Sequence, residues 1–387
     1  MGPNIGKLLG ADERLHHQIT DTFATISESD LAWTEKIWVT IPRKDGSLQI
    51  DFGLGRYHNR DVMDGFAGIS RGNEQWTVRA SRELSPDVES TLVGPLTYEV
   101  IEPMKKVRYA LAKNDILPLM FDVTFEARMV PFLEDRHLQR DENGLRIVSD
   151  IIRYHQAGTV SGWIEIDGKR ETINTDDWYA FRDHSWGVRL DVGAHVTDLR
   201  PSRAWGESAF GQGGFLLHWS PMVLTRPDGS TYAYQYYLQT TRDKPIYFSG
   251  YLNHADGSQD RVGRVRPMLK YDPVTRRPIG GKIHYDMLSG EDRVVEVEVV
   301  GDSGFHLGPA LYLGFDGKKH GNYRGKLNIE GEKIANTRDE ATLPRIHQVR
   351  DNIIRVREGD AVGYGIIETI LVGAWKEYGL DDDVSYI

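Results

Sequence analysis

The segment Phe181-Arg182-Asp183-His184-Ser185-Trp186-Gly187-Val188-Arg189 crowds an acid, an imidazole, an indole and two guanidinium groups around one glycine. Acids and imidazoles are the side chains that move protons near neutral pH. Arg182 and Arg189 can hold Asp183 ionised or bind an oxyanion. Trp186 offers an apolar wall or a face that stabilises a cation, and Gly187 permits close backbone approach or an unusual φ. On a strand Asp183 and His184 face opposite sides; on a turn or bulge both reach one cavity. The purely structural alternative is a knot of Arg–Asp and Trp contacts that locks two sheets together.

Three further groups of residues carry chemistry. Arg153-Tyr154-His155-Gln156 supplies a phenol and an imidazole, a pair able to transfer protons, or else two satisfied core hydrogen bonders. Trp219, Tyr232, Tyr234, Tyr236 and Tyr237 form an aromatic run in which Tyr232, Tyr234 and Tyr236 share one face and Tyr237 looks the other way. Such a ladder lines a ligand cavity or packs a barrel with its hydroxyls at the rim. Asp64 reads as a loop carboxylate among glycines. Glu368 lies inside the apolar run Val362–Gly373. If buried, its pKa rises and it can act as a general acid, although pairing with an arginine is the favoured reading. No metal site is expected: the spacing of His155, His184, His195 and His218 demands none, and neighbouring His16 and His17 on a helix do not converge.

Other machinery is missing. There is no phosphate loop, no Gly-x-Gly-x-x-Gly after a strand, no Gly-x-Ser-x-Gly elbow and no His-Glu-x-x-His. With no cysteine, thiolate catalysis and thiolate metal sites are excluded. A formal charge of −10 argues against a nucleic-acid binder. No apolar stretch reaches a membrane span, and Met1–Gly10 lacks the apolar core of a secretion signal. The expectation is a soluble, cytoplasmic protein whose chemistry comes from side chains alone.

The elements that must position these residues are strands. Asp45-Gly46, Asn143-Gly144, Asp167-Gly168, Asp228-Gly229, Asp256-Gly257 and Asp316-Gly317 each separate strand-like runs, a hairpin signal. Lys36–Ile41, Leu48–Phe52, Gln75–Ala80, Phe121–Phe125, Trp163–Ile166 and Val295–Val299 alternate apolar and polar residues. Lys326–Glu330 reads as a strand with an exposed face and no chemistry. Val362–Gly373 reads as a strand closing a sheet. Residues 1–35 read as helical or irregular, with Asp12, Glu13, Arg14, His16 and His17 on a solvated face. The apolar pattern breaks near Thr197–Trp205. This predicts two tandem β-domains, 1–200 and 201–387, whose opening hairpins resemble each other around Asp45-Gly46-Ser47 and Asp228-Gly229-Ser230.

At Arg182-Asp183-His184-Ser185-Trp186-Gly187 the chain resembles the tandem lipocalin-like family that includes carotenoid hydratases and AttH-like proteins, mostly of unassigned function. Some fungal cyclases of the intramolecular Diels–Alderase type share that architecture. The resemblance implies an all-β chain of two lipocalin-like antiparallel barrels or sandwiches, with few short helices. It also implies a pocket, in or between them, for an isoprenoid, polyketide or steroid-like molecule, and cofactor-independent hydration, elimination, isomerisation or cyclisation by acid–base chemistry. The residues expected to act are Asp183, His184, Tyr154 and His155, with Arg182, Trp186, Arg189, Trp219, Tyr234 and Tyr236 binding substrate. The alternative is a non-catalytic carrier of a lipophilic ligand. No cofactor is expected, and the oligomeric state is open, with a homodimer among the options.

Overall fold

Alternating side chains and tight turns give strands along nearly the whole chain. The computed structural model describes residues 8–17, 22, 28–141, 143–194, 198, 214–242, 244–382 and 386. The first strands are β1 (Trp33–Pro42), β2 (Gln49–Tyr57), β3 (Val62–Arg71), β4 (Glu74–Glu83), β5 (Leu92–Val93), β6 (Leu96–Glu102), β7 (Lys106–Leu111) and β8 (Leu119–Ala127). They are followed by β9 (Phe132–Leu133), β10 (His137–Arg140), β11 (Ile147–Ile166), β12 (Lys169–Ile173) and β13 (Ala180–Val188). The second half contributes β14 (Phe215–Thr225), β15 (Thr231–Thr240), β16 (Pro245–His254), β17 (Gln259–Tyr271), β18 (Pro278–Met287), β19 (Asp292–His306), β20 (Leu327–Ile334), β21 (Arg350–Glu358) and β22 (Ala361–Val372). One α-helix, the four-residue Leu343–Ile346, is present among the described residues. None there is long and apolar enough to cross a membrane.

The fold is all-β, in two antiparallel sheets. The first runs β20-β4-β3-β2-β1-β13-β11-β8-β7-β6-β5, with β9, β10 and β12 added along β11, and it curls until β5 and β6 lie against β3. The second is a closed barrel, β14-β15-β16-β17-β18-β19-β21-β22, sealed by β22 pairing with β14. The expected hairpin turns form, and all but Asp316-Gly317 join consecutive strands. Gly46 and Gly168 adopt φ of 73° and 74°, which a side chain disfavours. β20, expected only as a strand with an exposed face, pairs with β4 (Ile329 opposite Ala80), so a strand from the second half completes the first sheet. The chain break near 197–205 lies almost wholly outside the described residues, as does His195.

Each sheet has its own core, and a third core joins them. Ile37, Val39, Ile50, Phe52, Val123 and Phe125 fill the first barrel. Tyr234, Tyr236, Tyr285, Ile283, Ile354 and Ile367 fill the second. Trp38, Phe66, Phe181, Trp219, Phe305 and Ile366 form the seam between them. Removing each such side chain from water contributes about 1.5–3 kcal/mol. The assignment follows period two: alternate residues of β1 and β13 point into the first barrel, and the residues between them point into the seam.

The N-terminal polar run differs from its expected solvated helix. Residues Gly10–Glu13 form a 3-10 turn whose Glu13 is completely buried. Its carboxylate accepts from both Arg182 Nη atoms at 2.6 and 2.8 Å. A charge removed from water requires such a partner, and a polar stretch read alone gives no sign of one.

At the centre of the first sheet, β13 pairs with β1 on one side and β11 on the other. Gly187 there has φ of 129°, and a β-carbon would lie 1.9 Å from the Asp150 carbonyl oxygen. Gly187→Ala therefore adds both backbone strain and a clash. It is expected to lower stability by about 2–4 kcal/mol, which urea unfolding followed by circular dichroism measures.

Candidate functional site

The seam is not filled completely. A cavity of about 180 Å³ opens between the sheets. β1, β11 and β13 supply Lys36, Trp38, Ile151, Arg153, Asp183 and Ser185. The second barrel supplies Leu217, Trp219, Tyr237, Gln239, Glu368 and Ile370. Leu307, Tyr312, Leu313, His320 and Val349 close one side, facing Arg189–Val192. The wall is mainly aromatic and aliphatic with a few convergent charges, the usual make-up of a small-molecule site.

Those charges are tuned by burial. Glu368 sits opposite Trp219 on β14 and Asp351 on β21. Burial pushes its carboxyl up to about 7; Arg153 pulls against this and the Asp183 carboxylate adds to it. Behind Glu368 lies Asp351, and across the seam lies Asp51, both fully buried. Burial raises both acids well above the carboxylate range; the neighbouring Asp51 and Glu368 raise Asp351 further, while hydrogen bonds from Thr40, Asp351 and Gln49 pull Asp51 the other way. On the opposite wall burial pulls the Lys36 amine down to about 7, helped by Arg189 and opposed by Asp64, Asp191 and Asp183. Its Nζ lies 3.9 Å from the centre of the Tyr312 ring. Burial likewise holds His137 down to about 4. The cavity thus contains one acid and one amine that each change charge near neutral pH, the condition for general acid–base work.

β13 divides the motif Arg182–Arg189. It is a regular strand, so Asp183 and His184 face opposite ways. Asp183 lines the cavity, 3.6 Å from Arg153 Nε, and Arg189 lines it too, donating from Nη2 to Ser185 Oγ at 2.5 Å. His184, Arg182 and Trp186 point into the first barrel. There His184 Nε2 lies 2.9 Å from Glu35 Oε1, and its Nδ1 lies 3.2 Å from the Tyr154 hydroxyl. Tyr154 belongs to this interior group as well and donates to Glu13 at 2.9 Å. His155 faces the seam beside the cavity. Its Nε2 lies 2.7 Å from Glu134 Oε2, and its ring lies 5.5 Å from that of Trp219. Glu134 also accepts from Arg153 at 3.3 Å and Tyr247 at 2.7 Å; Arg153 and these bonds outweigh burial and hold it at about 2. His155 is therefore part of a tie between the sheets.

In the aromatic run, Trp219 lines the cavity, packed edge-on against Trp38 at 5.2 Å. Tyr234 and Tyr236 do not reach it: they fill the second barrel, donating to Glu358 at 2.9 Å and hydrogen-bonding His218 Nδ1 at 2.6 Å. The cavity instead takes Tyr237, beneath the Arg153 guanidinium at 5.2 Å, with its hydroxyl raised to about 12 by burial. Asp64 is not a loop residue. It lies on β3, fully buried, and accepts from the Gly321 backbone at 2.8 Å. Glu368 is not held by a dedicated arginine, because Arg153 also serves Glu134 and Asp183. Lys36, Asp51 and Asp351 had no local signal. Each lies on an ordinary strand, and only the packing of one sheet on the other brings them together.

The acid cluster makes stability depend on pH. Asp51 and Asp351 titrate above the ordinary carboxylate range when folded. Their neutral form's contribution is fully present below about pH 4 and is lost as pH rises through their folded values. Glu368 adds to this loss up to about pH 7. Asp351→Asn, neutral throughout, is expected to raise stability at pH 8 by about 1–3 kcal/mol and to change little at pH 4. Thermal unfolding across that range measures the difference.

One comparison with a known structure agrees with the architecture. A crystal structure of an AttH-like protein from Nitrosomonas europaea superposes with a TM-score of 0.51 at 12% identity, over 87% of this chain and 92% of that one. Its likeness bears out, in fold, the resemblance read at residues 182–189. Kievitone hydratase from Nectria haematococca aligns at 11% identity, TM-score 0.43, over 86% of this chain and 88% of its own. CghA, solved with Sch210972, aligns at 9% identity, TM-score 0.46, over 92% and 90%. No curated protein sequence matches the chain. The chain belongs to the family of unknown function DUF8625, whose sequence profile matches residues 10–381.

Proposed function

We propose that the protein is a cofactor-independent acid–base enzyme, of the hydratase, lyase, isomerase or cyclase type, acting on a hydrophobic small molecule in the cavity between the sheets. Glu368 carries this reading: it is a carboxyl on the cavity wall, raised to about 7. An acid that keeps its proton near neutral pH can deliver it to a carbon–carbon double bond or to a leaving oxygen. Lys36 is its complement, an amine lowered to about 7 that is partly neutral at the same pH and able to accept a proton.

Protonation of an alkene by Glu368 leaves positive charge on the neighbouring carbon. The Asp183 carboxylate and the rings of Trp38, Trp219 and Tyr237 are on the wall to stabilise it. Attack by water, with the water's proton returned to the Glu368 carboxylate, gives hydration. Loss of an adjacent proton to Lys36 gives an isomer. Transfer of that proton back to Glu368, directly or through solvent, restores both groups. Arg153 and Arg189 can anchor a substrate oxygen. Isoprenoid, polyketide and steroid-like molecules suit the apolar lining. The cavity volume, below the ≈300–1,000 Å³ of drug-sized sites, suits a compact molecule or the reacting end of a longer one.

Solvent exchange tests the reading without knowledge of the natural substrate. Purified protein is incubated in D2O with a panel of isoprenoid, polyketide and steroid alkenes, and deuterium uptake is read by mass spectrometry. The wild type is expected to label at least one compound, and Glu368→Gln to slow labelling by about 10²–10⁴-fold while keeping ligand affinity within a few-fold. The rate should peak near pH 7, falling above it as Glu368 loses its proton and below it as Lys36 gains one. Tight binding with no exchange by the wild type would make the protein a carrier and sink the proposal.

A further inference from the structure

On the face of β13 turned away from the cavity, His17, Glu35 and His184 bring three ligand atoms within 4.8 Å of one another. His17 Nδ1 lies 2.5 Å from Glu35 Oε1, and His184 Nε2 lies 2.9 Å from the same oxygen. The second nitrogen of each ring is also engaged. His17 Nε2 lies 3.3 Å from Asp12 Oδ1. His184 Nδ1 lies 3.2 Å from the Tyr154 hydroxyl, whose proton goes to the nearer, anionic Glu13 at 2.9 Å. The Tyr154 oxygen is then the acceptor for an Nδ1–H of His184.

A neutral His184 that donates to Tyr154 points a bare Nε2 lone pair at a carboxylate oxygen. A neutral His17 that donates to Asp12 points a bare Nδ1 lone pair at the same oxygen. Three electron pairs converging on one point repel, so each imidazole either turns an N–H toward Glu35 or shares a cation with it. The Asp12 carboxylate behind His17 is a partner of the kind that orients metal-ligating histidines, and the Tyr154 hydroxyl fixes the His184 ring in the same way. Trp186 stacks on the His17 ring at 3.5 Å and holds its plane.

We infer that His17, His184 and Glu35 form a divalent transition-metal site. Two imidazoles and a carboxylate suit zinc or a metal of similar softness. Metal–ligand bonds of about 2.1 Å separate tetrahedral ligands by roughly 3.4 Å. The His17 ring therefore moves outward by about an ångström, which the irregular segment carrying it can accommodate, and the His184 ring by about half an ångström through its side-chain torsions. The cation joins residues 10–17 to β1 and β13 and fixes that segment over one end of the first barrel. Glu13 makes a second attachment through Arg182.

Zinc is the probe. After chelation and dialysis, calorimetry is expected to find one zinc per chain, and the melting temperature to rise with zinc concentration. Cobalt(II) is expected to give visible absorption bands of a nitrogen- and oxygen-ligated ion. His17→Ala, at the partly exposed ligand, should remove the zinc isotherm and the cobalt bands while far-ultraviolet dichroism stays unchanged; Glu35→Gln should do the same. If wild-type protein binds no zinc and its melting is indifferent to it, the two imidazoles only hydrogen-bond Glu35 and the inference fails. Equal binding by folded His17→Ala would place the metal elsewhere and also overturn it. Should that variant unfold, the wild-type zinc isotherm and cobalt spectrum decide alone.

Discussion

β13 is covered on both faces, and much of the chemistry in this protein follows from that constraint. A strand at a free sheet surface keeps its polar residues on the wet side. β13 has no wet side, so each polar residue needs an internal partner. Arg182 finds Glu13, His184 finds Glu35 and Tyr154, Asp183 finds Arg153, and Ser185 finds Arg189. The alternation of a single strand therefore separates two polar systems. One lies inside the first barrel, around the N-terminal segment. The other lies in the seam, around the cavity. The adjacency of Asp183 and His184 in sequence is what guarantees that they work apart.

In the seam, the charges are graded by burial. Asp51 and Asp351 lie deepest and are pushed furthest toward the neutral form. Glu368 faces the cavity and crosses from neutral to charged near pH 7. Glu134, with Arg153, His155 and Tyr247 around it, stays ionised despite being buried. Four acids within one interface thus differ in charge because their nearest donors differ. Lys36 obeys the same rule with the opposite sign: burial and Arg189 lower its proton affinity more than the surrounding carboxylates raise it.

The sequence made the local structure legible and the meeting of the two sheets much less so. Turn pairs such as Asp45-Gly46 and the strict alternation of Val295–Val299 depend on neighbours a few residues away, and the strands and hairpins follow. Period two also divided Tyr232, Tyr234 and Tyr236 from Tyr237, but it could not say which face met a cavity; the single outlier, Tyr237, does. Lys326–Glu330 was readable as a strand, whereas its partner β4 lies roughly 250 residues earlier and left no mark nearby. Glu13 looked solvated because its guanidinium partner is 169 positions away. Glu368 stood out as a carboxylate in an apolar run, yet its state depends on how far Arg153 is already committed, which is a property of the assembled seam.

Burial and that commitment together leave the Glu368 carboxyl raised to about 7. Buried ionic and acidic clusters generally join surfaces less well than apolar residues of the same volume. Here, among the described residues, no arginine forms an ion pair with Glu368. Arg153 is divided between Glu134 and Asp183. Arg350, beside Asp351 in sequence, turns its guanidinium to the Gly304 carbonyl at 3.1 Å and to Asn352 and the Asp302 carbonyl. A seam selected only for adhesion would close these pairs or replace them with leucine and phenylalanine, as the surrounding core already does. Holding a carboxyl near neutrality at a cavity wall costs stability and adds no cohesion, the trade expected where strain or unpaired charge serves a site. Physical economy therefore directs attention to the cavity face of β22, with Glu368 at its centre, more than to the conspicuous motif on β13.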